Sequence, residues 1–335
     1  MIMDHSSTEE IILQRGSLQV HVLPMGAAVS AVQFRGREVA MALASTEQYG
    51  QDGSCAGSIL GPAAGRIAGG RLQIGSRGIQ LDQNEGANTL HGGRHGLTHQ
   101  RFEVLSAAGD NAVLQACLPD GLDGWPGNRR IQVEYRLEEN ALTILLTGTS
   151  DADTWLDLSS HLYWNLNGNF AKSALDQQLQ IRAERVILND SSHLPVGLEQ
   201  VSSTAFDFRQ PHCISERMEQ YPQEWQLSNA RGYNNAFVLS SRDAETEPAA
   251  VLRDDSAGNV MKLFTDQPAL VFYSGGYLDG STRLAGGIGA SSGCAIALEA
   301  QNWPDAGHIK DAPSALLEQG ALYRRFIRFE FSSRR

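Results

Sequence analysis

The chain has 335 residues, of which 41% are hydrophobic and 19% charged, so it can bury a large core and is not built like a disordered segment. Its formal net charge, 27 − 38 = −11, argues against general nucleic-acid binding and suits a small neutral ligand. The 34 glycines, beside only 11 prolines and without a three-residue period, exclude a collagen-like chain and point to tight turns or to backbone that comes close to something.

The amino end, Met1 to Ile11, is polar and acidic and lacks the pattern of a signal peptide. No stretch approaches the roughly 18 apolar residues of a spanning helix. A cytoplasmic protein without membrane attachment is therefore expected. Leu18, Val20 and Val22 then alternate with Gln19 and His21. Leu72 and Ile74 are followed, across Gly75-Ser-Arg-Gly78, by Ile79 and Leu81. Ile131, Val133, Tyr135 and Leu137 alternate with polar residues, as do Leu142, Ile144 and Leu146 after a turn at Glu139-Asn140. Near the carboxyl end Ile327, Phe329 and Phe331 repeat the pattern. Period two over short segments predicts strands with one face in a core.

Helical signals are few: a short segment at Ile214 to Gln220, and one turn at Leu316 and Leu317 after Pro313. Glu245-Thr-Glu-Pro248 reads as a surface turn. No linker divides the chain and no repeat period appears, so residues 1–335 read as one all-β domain, a large antiparallel β-sandwich. Cys55, Cys117, Cys213 and Cys294 are scattered and read as free buried thiols, with neither a disulfide framework nor a zinc site.

Four polar islands interrupt the strand pattern. Gly61-Pro-Ala-Ala-Gly-Arg66-Ile-Ala-Gly-Gly-Arg71 is glycine-rich but lacks the Lys-Ser/Thr of a phosphate loop and the spacing of a dinucleotide fold. It reads equally well as a tight surface crossing. Asn84-Glu-Gly-Ala-Asn88-Thr-Leu-His91-Gly-Gly93, with His95 and His99, gathers imidazoles and amides. Imidazoles suit zinc or iron, but carboxylates at ligand-like positions are missing, so no metal is expected. In His161-Leu-Tyr163-Trp-Asn165-Leu-Asn167, a strand would put His161, Tyr163 and Asn165 on one face and Leu162, Trp164 and Leu166 on the other. Ala297-Leu-Glu299-Ala-Gln301-Asn-Trp303-Pro304-Asp305 sets a carboxylate at the end of an apolar strand, either at a rim or in a polar cleft where its pKa would rise. Together these are the groups of a carbohydrate site: amides and charged groups for hydroxyls, aromatic faces for C–H surface, and a histidine with a carboxylate for acid–base work.

The islands resemble the aldose 1-epimerase, or galactose mutarotase, family. The resemblance rests on Gly65-Arg66-Ile67, Asn88-Thr-Leu-His91-Gly-Gly93, Asp123-Gly-Trp-Pro126-Gly127, His161-Leu-Tyr163-Trp-Asn165-Leu and Leu298-Glu-Ala-Gln301-Asn-Trp-Pro304-Asp305, in the family's order. It implies a large β-sandwich of the galactose mutarotase-like kind and interconversion of the α and β anomers of a free aldose without a cofactor or metal. It gives Glu299 the place of the general base and His161 that of the general acid. His91 matches the second histidine, which would stabilise charge on the ring oxygen, and Arg66 matches an arginine for sugar hydroxyls. Asn234, Gln301, Tyr163, Trp303 and Asn165 complete the expected substrate contacts. The expected partner is a monosaccharide, with no nucleic acid and no membrane, and the expected assembly is a monomer or homodimer.

The chain also departs from that pattern. Asn234, in Gly232-Tyr-Asn-Asn235, stands where an aspartate is common, so the charge that would accept sugar hydroxyls is gone. Pro62 replaces the first arginine of a usual pair, and Trp164 and Trp303 stand where phenylalanine is common. These changes loosen the expectation of galactose as the preferred sugar. Two alternatives stay open: a non-catalytic sugar-binding or sensing protein on the same fold, and a different carbohydrate enzyme, such as a lyase or a mutarotase for a modified or phosphorylated sugar. The phosphosugar alternative needs cations at the cleft rim, for which Arg71 and Arg94 are the candidates.

Overall fold

A computed structural model describes residues 10–241 and 243–334. The reading of the extreme amino end falls largely outside them. Two large antiparallel sheets dominate. The first has nine strands, in the order His212–Cys213, Gln178–Ile181, Ala250–Asp254, Asn259–Thr265, Tyr323–Ser333, Ala141–Ser150, Arg129–Glu138, Asn111–Leu118 and Glu103–Ala108. The second has six: Tyr163–Trp164, Ile296–Gln301, Ala269–Tyr273, Asn234–Leu239, Ala183–Asn189 and Pro195–Gln200. A four-stranded sheet made from Ile11–Arg15 to Arg37–Glu38, and several two-stranded ribbons, complete the fold.

The period-two segments form the strands they predict. Arg129–Glu138 and Ala141–Ser150 make a hairpin in unbroken register, pairing Leu137 with Leu142, Tyr135 with Ile144 and Val133 with Leu146. Those six side chains are all buried. The sheets meet through aromatic packing: the fully buried Trp164 of the six-stranded sheet lies 4.7 Å from the ring of Phe329 in the nine-stranded sheet.

Alternation also decides what the six-stranded sheet offers on each face. Ile296, Leu298 and Ala300, with Leu270, Phe272 and Phe237, enter the main core. The intervening residues Ala297, Glu299 and Gln301 therefore project from the other face. Smaller apolar clusters flank that second face. One contains Met41, Tyr163, Tyr273 and Ala297; the other contains Ile67, Trp125, Val271 and Trp303. A cleft lies between them.

Two expectations, for Leu316–Leu317 and for the cysteines, need correction. Leu316–Leu317 is not helical but pairs antiparallel with the buried Thr154–Trp155, whose backbone groups need partners. The helix at Ile214–Gln220 is present, and a second, Trp225–Ala230, is too short to have left a periodic signal. All four cysteines are free, but only Cys294 is buried; Cys117 is exposed, and Cys55 and Cys213 are half-buried. The turn at residues 245–248 is at the surface as expected. Among the described residues no helix is long and apolar enough to cross a membrane.

Candidate active site

The cleft has a volume of about 670 Å³, within the usual range for small-molecule sites. Its floor is the outer face of the six-stranded sheet. Register sets Glu299 beside Val271, and Tyr163 beside Ala297. Asn234 pairs with Tyr273 on the next strand, and its carbonyl accepts a hydrogen bond from the Asn189 side chain at 2.9 Å. Arg66 and His91 come from two loops packed over one end.

Glu299 and His161 stand together on this floor. Glu299 Oε1 is 3.6 Å from His161 Nε2, beyond hydrogen-bond range, and both side chains are more than nine-tenths buried. The His161 ring stacks on Tyr163 at 4.7 Å, and the Tyr163 hydroxyl donates to the carbonyl of Ser54, so the imidazole is backed by an anchored ring. His91 meets His161 edge-on at 5.6 Å. Burial raises the pKa of Glu299, with Arg66 opposing the rise. Burial lowers the pKa of His161, and His91 adds to the fall. Both shifts favour the uncharged form of each group.

Backbone geometry fixes His91. It has φ +53°, and its Nδ1 lies 2.6 Å from the carbonyl of Ala64. A carbonyl only accepts, so Nδ1 carries the proton and Nε2 is an acceptor in the neutral ring. Burial holds the pKa of His91 down at about 4, with the Ala64 bond opposing and Arg66 reinforcing. Stabilising negative charge on a ring oxygen requires a donor, which neutral His91 lacks at Nε2. The next residue, Gly92, has φ +92°, and a Cβ there would lie 2.0 Å from the Gly61 carbonyl oxygen. Only glycine lets the two loops approach this closely.

Arg66 makes a two-pronged ion pair with Glu85, through Nε and Nη2, both at 2.7 Å. Gln301 is buried on the floor, and its Oε1 has no hydrogen-bond partner among the described residues. Gly65 packs against it: a Cβ at that position would be 3.1 Å from Gln301 Nε2 and 3.0 Å from Pro304 Cα.

Seven of the nine expected site residues thus line one cleft: Glu299, His161, His91, Arg66, Asn234, Gln301 and Tyr163. Asn165 and Trp303 do not. Asn165 is fully buried, and its amide donates to the carbonyls of Cys294 and Lys172. Its strand consists of Tyr163–Trp164 alone, so the alternation stops before it. Trp303 packs in the apolar cluster with Trp125 and Ile67. The histidines near His91 also diverge: His95 turns to Asp123, and His99 to the carbonyl of Gly50. No group of three or more His, Cys, Asp or Glu among the described residues is placed to hold a metal ion.

The sequence reading missed Glu85, Asn189, His193, Tyr273, Tyr277 and Asp52, all of which line the cleft. Tyr273 ends a fully buried strand, and the pairing of that strand with those of Asn234 and Glu299 brings it here. Glu85 sat inside a motif already singled out, but its partner Arg66 is 19 residues away.

Residues 9–330 match the family model described as aldose 1-epimerase, and the chain belongs to that family. It is 29% identical to a galactose mutarotase of Mus musculus over 97% of this chain and 94% of that one. A crystal structure of a galactose 1-epimerase from Lactobacillus acidophilus NCFM matches with a TM-score of 0.87 at 27% identity, covering 100% and 98% of the two chains. The crystal structure of an aldose epimerase homologue from C. elegans matches in fold, with a TM-score of 0.89 at 23% identity, covering 98% and 100%.

Proposed function

We propose that the protein is an aldose 1-epimerase that opens and recloses the ring of a free sugar by paired proton transfer. One observation carries this reading: a carboxylate and an imidazole, both buried, face the same cleft 3.6 Å apart. Two oxygens bonded to one anomeric carbon fit such a pair. Glu299 takes the proton of the anomeric hydroxyl while His161 gives one to the ring oxygen. The C1–O5 bond breaks and the open aldehyde forms. Rotation about C1–C2 presents the other carbonyl face, and the transfers reverse on closure. The pair holds one proton throughout: the burial shifts place it on Glu299 at rest, it passes to His161 before the ring opens, and it is on Glu299 again afterwards, so the buried site gains no net charge. Galactose is the first substrate to try, because two of the similar proteins are a galactose mutarotase and a galactose 1-epimerase, and glucose, its C4 epimer, is the second.

The remaining groups bind and orient. His91, protonated at Nδ1, accepts a sugar hydroxyl through Nε2. Gln301 offers its unpartnered Oε1, Arg66 its remaining Nη1, and Asn234 an uncharged amide. Tyr163 and Tyr273 supply ring surface for C–H groups.

Polarimetry tests the proposal. Fresh α-D-glucose or α-D-galactose should lose its excess rotation faster with the protein present. Glu299→Gln should slow that catalysis by roughly 10²–10⁴-fold, the usual worth of a positioned acid or base. Unchanged rates across a panel of aldoses would sink the proposal. Sugar binding without acceleration would favour the non-catalytic reading.

A further inference from the structure

We propose that Tyr273 is a specificity-determining residue, whose phenolic proton is a hydrogen-bond donor to one hydroxyl of the sugar and so selects for sugars that carry it. The proposal goes beyond the ring surface assigned to Tyr273 above and rests on the same reading of the cleft as a sugar site. Three tyrosines line that cleft: Tyr163, Tyr273 and Tyr277. Two have their protons committed to the backbone. Tyr163 donates to the carbonyl of Ser54 at 3.1 Å, and Tyr277 to that of Asn229 at 3.0 Å. Tyr273 does the reverse. Its oxygen accepts the N–H of Tyr277 at 2.7 Å, and no acceptor among the described residues takes its proton.

Tyr273 is 8% exposed, and a buried donor without a partner works against the folded state. Burial also holds the pKa of its hydroxyl up at about 12, so the group keeps its proton across the neutral range. A phenol carries its proton and its in-plane lone pair on either side of the C–O bond. The Tyr277 N–H takes the lone-pair side and thereby turns the proton away from the loop of residues 274–278.

Register sets this donor beside the acid–base pair. Glu299 pairs with Val271, and Tyr273, two residues further along, rises from the same face of the sheet. Tyr163 and Tyr273 pair with Ala297 from its two sides, and their rings meet edge-on at 6.1 Å. His161 stacks on Tyr163. A sugar set against Glu299 and His161 therefore has Tyr273 next to it. Across the floor from Glu299, Val271 and Ala236 are apolar, which leaves Tyr273 and Asn234 as the polar side chains that these two strands present to the cleft. Asn234 can donate or accept, whereas Tyr273, with its lone pair engaged, offers a proton. A sugar lacking the matching hydroxyl leaves that proton unpaired, and this is the basis of the selection.

Tyr273→Phe keeps the ring and removes the hydroxyl. It is compared with the wild type by kcat/KM on the faster of D-galactose and D-glucose and on the 2-, 3-, 4- and 6-deoxy forms of that sugar. The wild type should lose about three- to tenfold on one of the deoxy sugars, the usual worth of one neutral hydrogen bond. Tyr273→Phe should lose a similar factor on the parent sugar and nothing further on that one deoxy form, because both changes remove the same contact from its two sides. Loss of support for the 274–278 loop would instead slow all these sugars alike. That result, or a variant equal to the wild type throughout, overturns the proposal. If Tyr273→Phe does not fold, 3-fluorotyrosine at position 273 decides. Fluorine makes the hydroxyl a stronger donor and a weaker acceptor, so kcat/KM on the parent sugar should hold or rise, and a fall of more than about threefold overturns the proposal. If the wild type anomerises no sugar, the function proposed above fails, and dissociation constants of the same sugars, measured by calorimetry, decide Tyr273 by the same pattern. A protein that binds none of them overturns both.

Discussion

At the scale of single residues, the site works against its own stability. Glu299 has a folded pKa raised above its ordinary value of 4.5. Between those two values the folded protein holds a proton that the unfolded chain has lost. Stability therefore falls as pH rises through that window, and the full cost is present above the raised value. His161 is shifted the other way, down from 6.5, so its contribution is lost as pH falls below that value. Glu299→Gln should accordingly be more stable than the wild type at alkaline pH, by about 0.5–2 kcal/mol, while losing activity. Denaturant titrations at pH 5 and pH 9 would check this; an equal difference at both would contradict it. Arg66 makes a second case. Its Nε and Nη2 are held by Glu85, which leaves Nη1 for substrate. Glu85→Gln frees the fork and removes a counter-charge. KM should rise about tenfold, a change of about 1.4 kcal/mol. The unneutralised guanidinium should also draw the Glu299 limb of the pH–rate profile to lower pH. An unmoved limb with unchanged KM would show that Glu85 does not act through Arg66.

At the scale of elements, the Asp123-Gly-Trp-Pro126-Gly127 motif supports the site without lining it. Trp125 is buried, and its Nε1 donates to the carbonyl of Gly92 at 2.8 Å. Asp123 accepts from the backbone and ring of His95 at 2.6 and 2.8 Å. The motif thus braces the loop that carries His91. Trp125→Phe keeps most of the apolar packing but orphans the Gly92 carbonyl, so it should cost about 1–3 kcal/mol. Thermal unfolding should show that loss together with a raised KM; a raised KM alone would place the effect elsewhere. The same contrast explains what the sequence could tell. Strands such as Arg129–Glu138 are legible because one face is buried and period two writes itself into the residues. Glu299 and Gln301 were legible because that period continues through an apolar strand. Asn165 was misread because its strand stops after two residues, and Trp303 because an aromatic near a cleft can equally fill the core behind it. Asp52, His193 and Tyr277 reach the cleft from loops far apart in the chain, and Asn189 from the end of the strand Ala183–Asn189; no local pattern encodes where such segments meet.

At the scale of the whole molecule, the acidic balance acquires a location. The carboxylates of Asp52, Glu85, Asp279 and Glu299 line the cleft, and the only arginine among the lining residues, Arg66, is already paired with Glu85. Arg231 stacks on the ring of Tyr277, and hydrogen bonds from Ser281, with a lesser part from Arg231, lower the pKa of Asp279. The two cations that a phosphosugar reading needs are elsewhere. Arg94 is paired with Asp82 at 2.8 Å, and Arg71 lines a separate groove with Leu72 and His308. An anionic sugar entering this cleft meets like charge in a partly desolvated space, where repulsion is worth more than in bulk water. Neutral aldoses should therefore be turned over with a kcat/KM at least tenfold above that of the matching 6-phosphate or uronic acid at low ionic strength. The gap should narrow as salt is raised, because the rim carboxylates are exposed enough to be screened over a Debye length of about 10 Å at 0.1 M. Anomerisation rates of glucose, glucose 6-phosphate and glucuronic acid, each measured at low and high sodium chloride, decide it. Preference for the phosphate would overturn the electrostatic argument, and a gap indifferent to salt would assign the discrimination to shape.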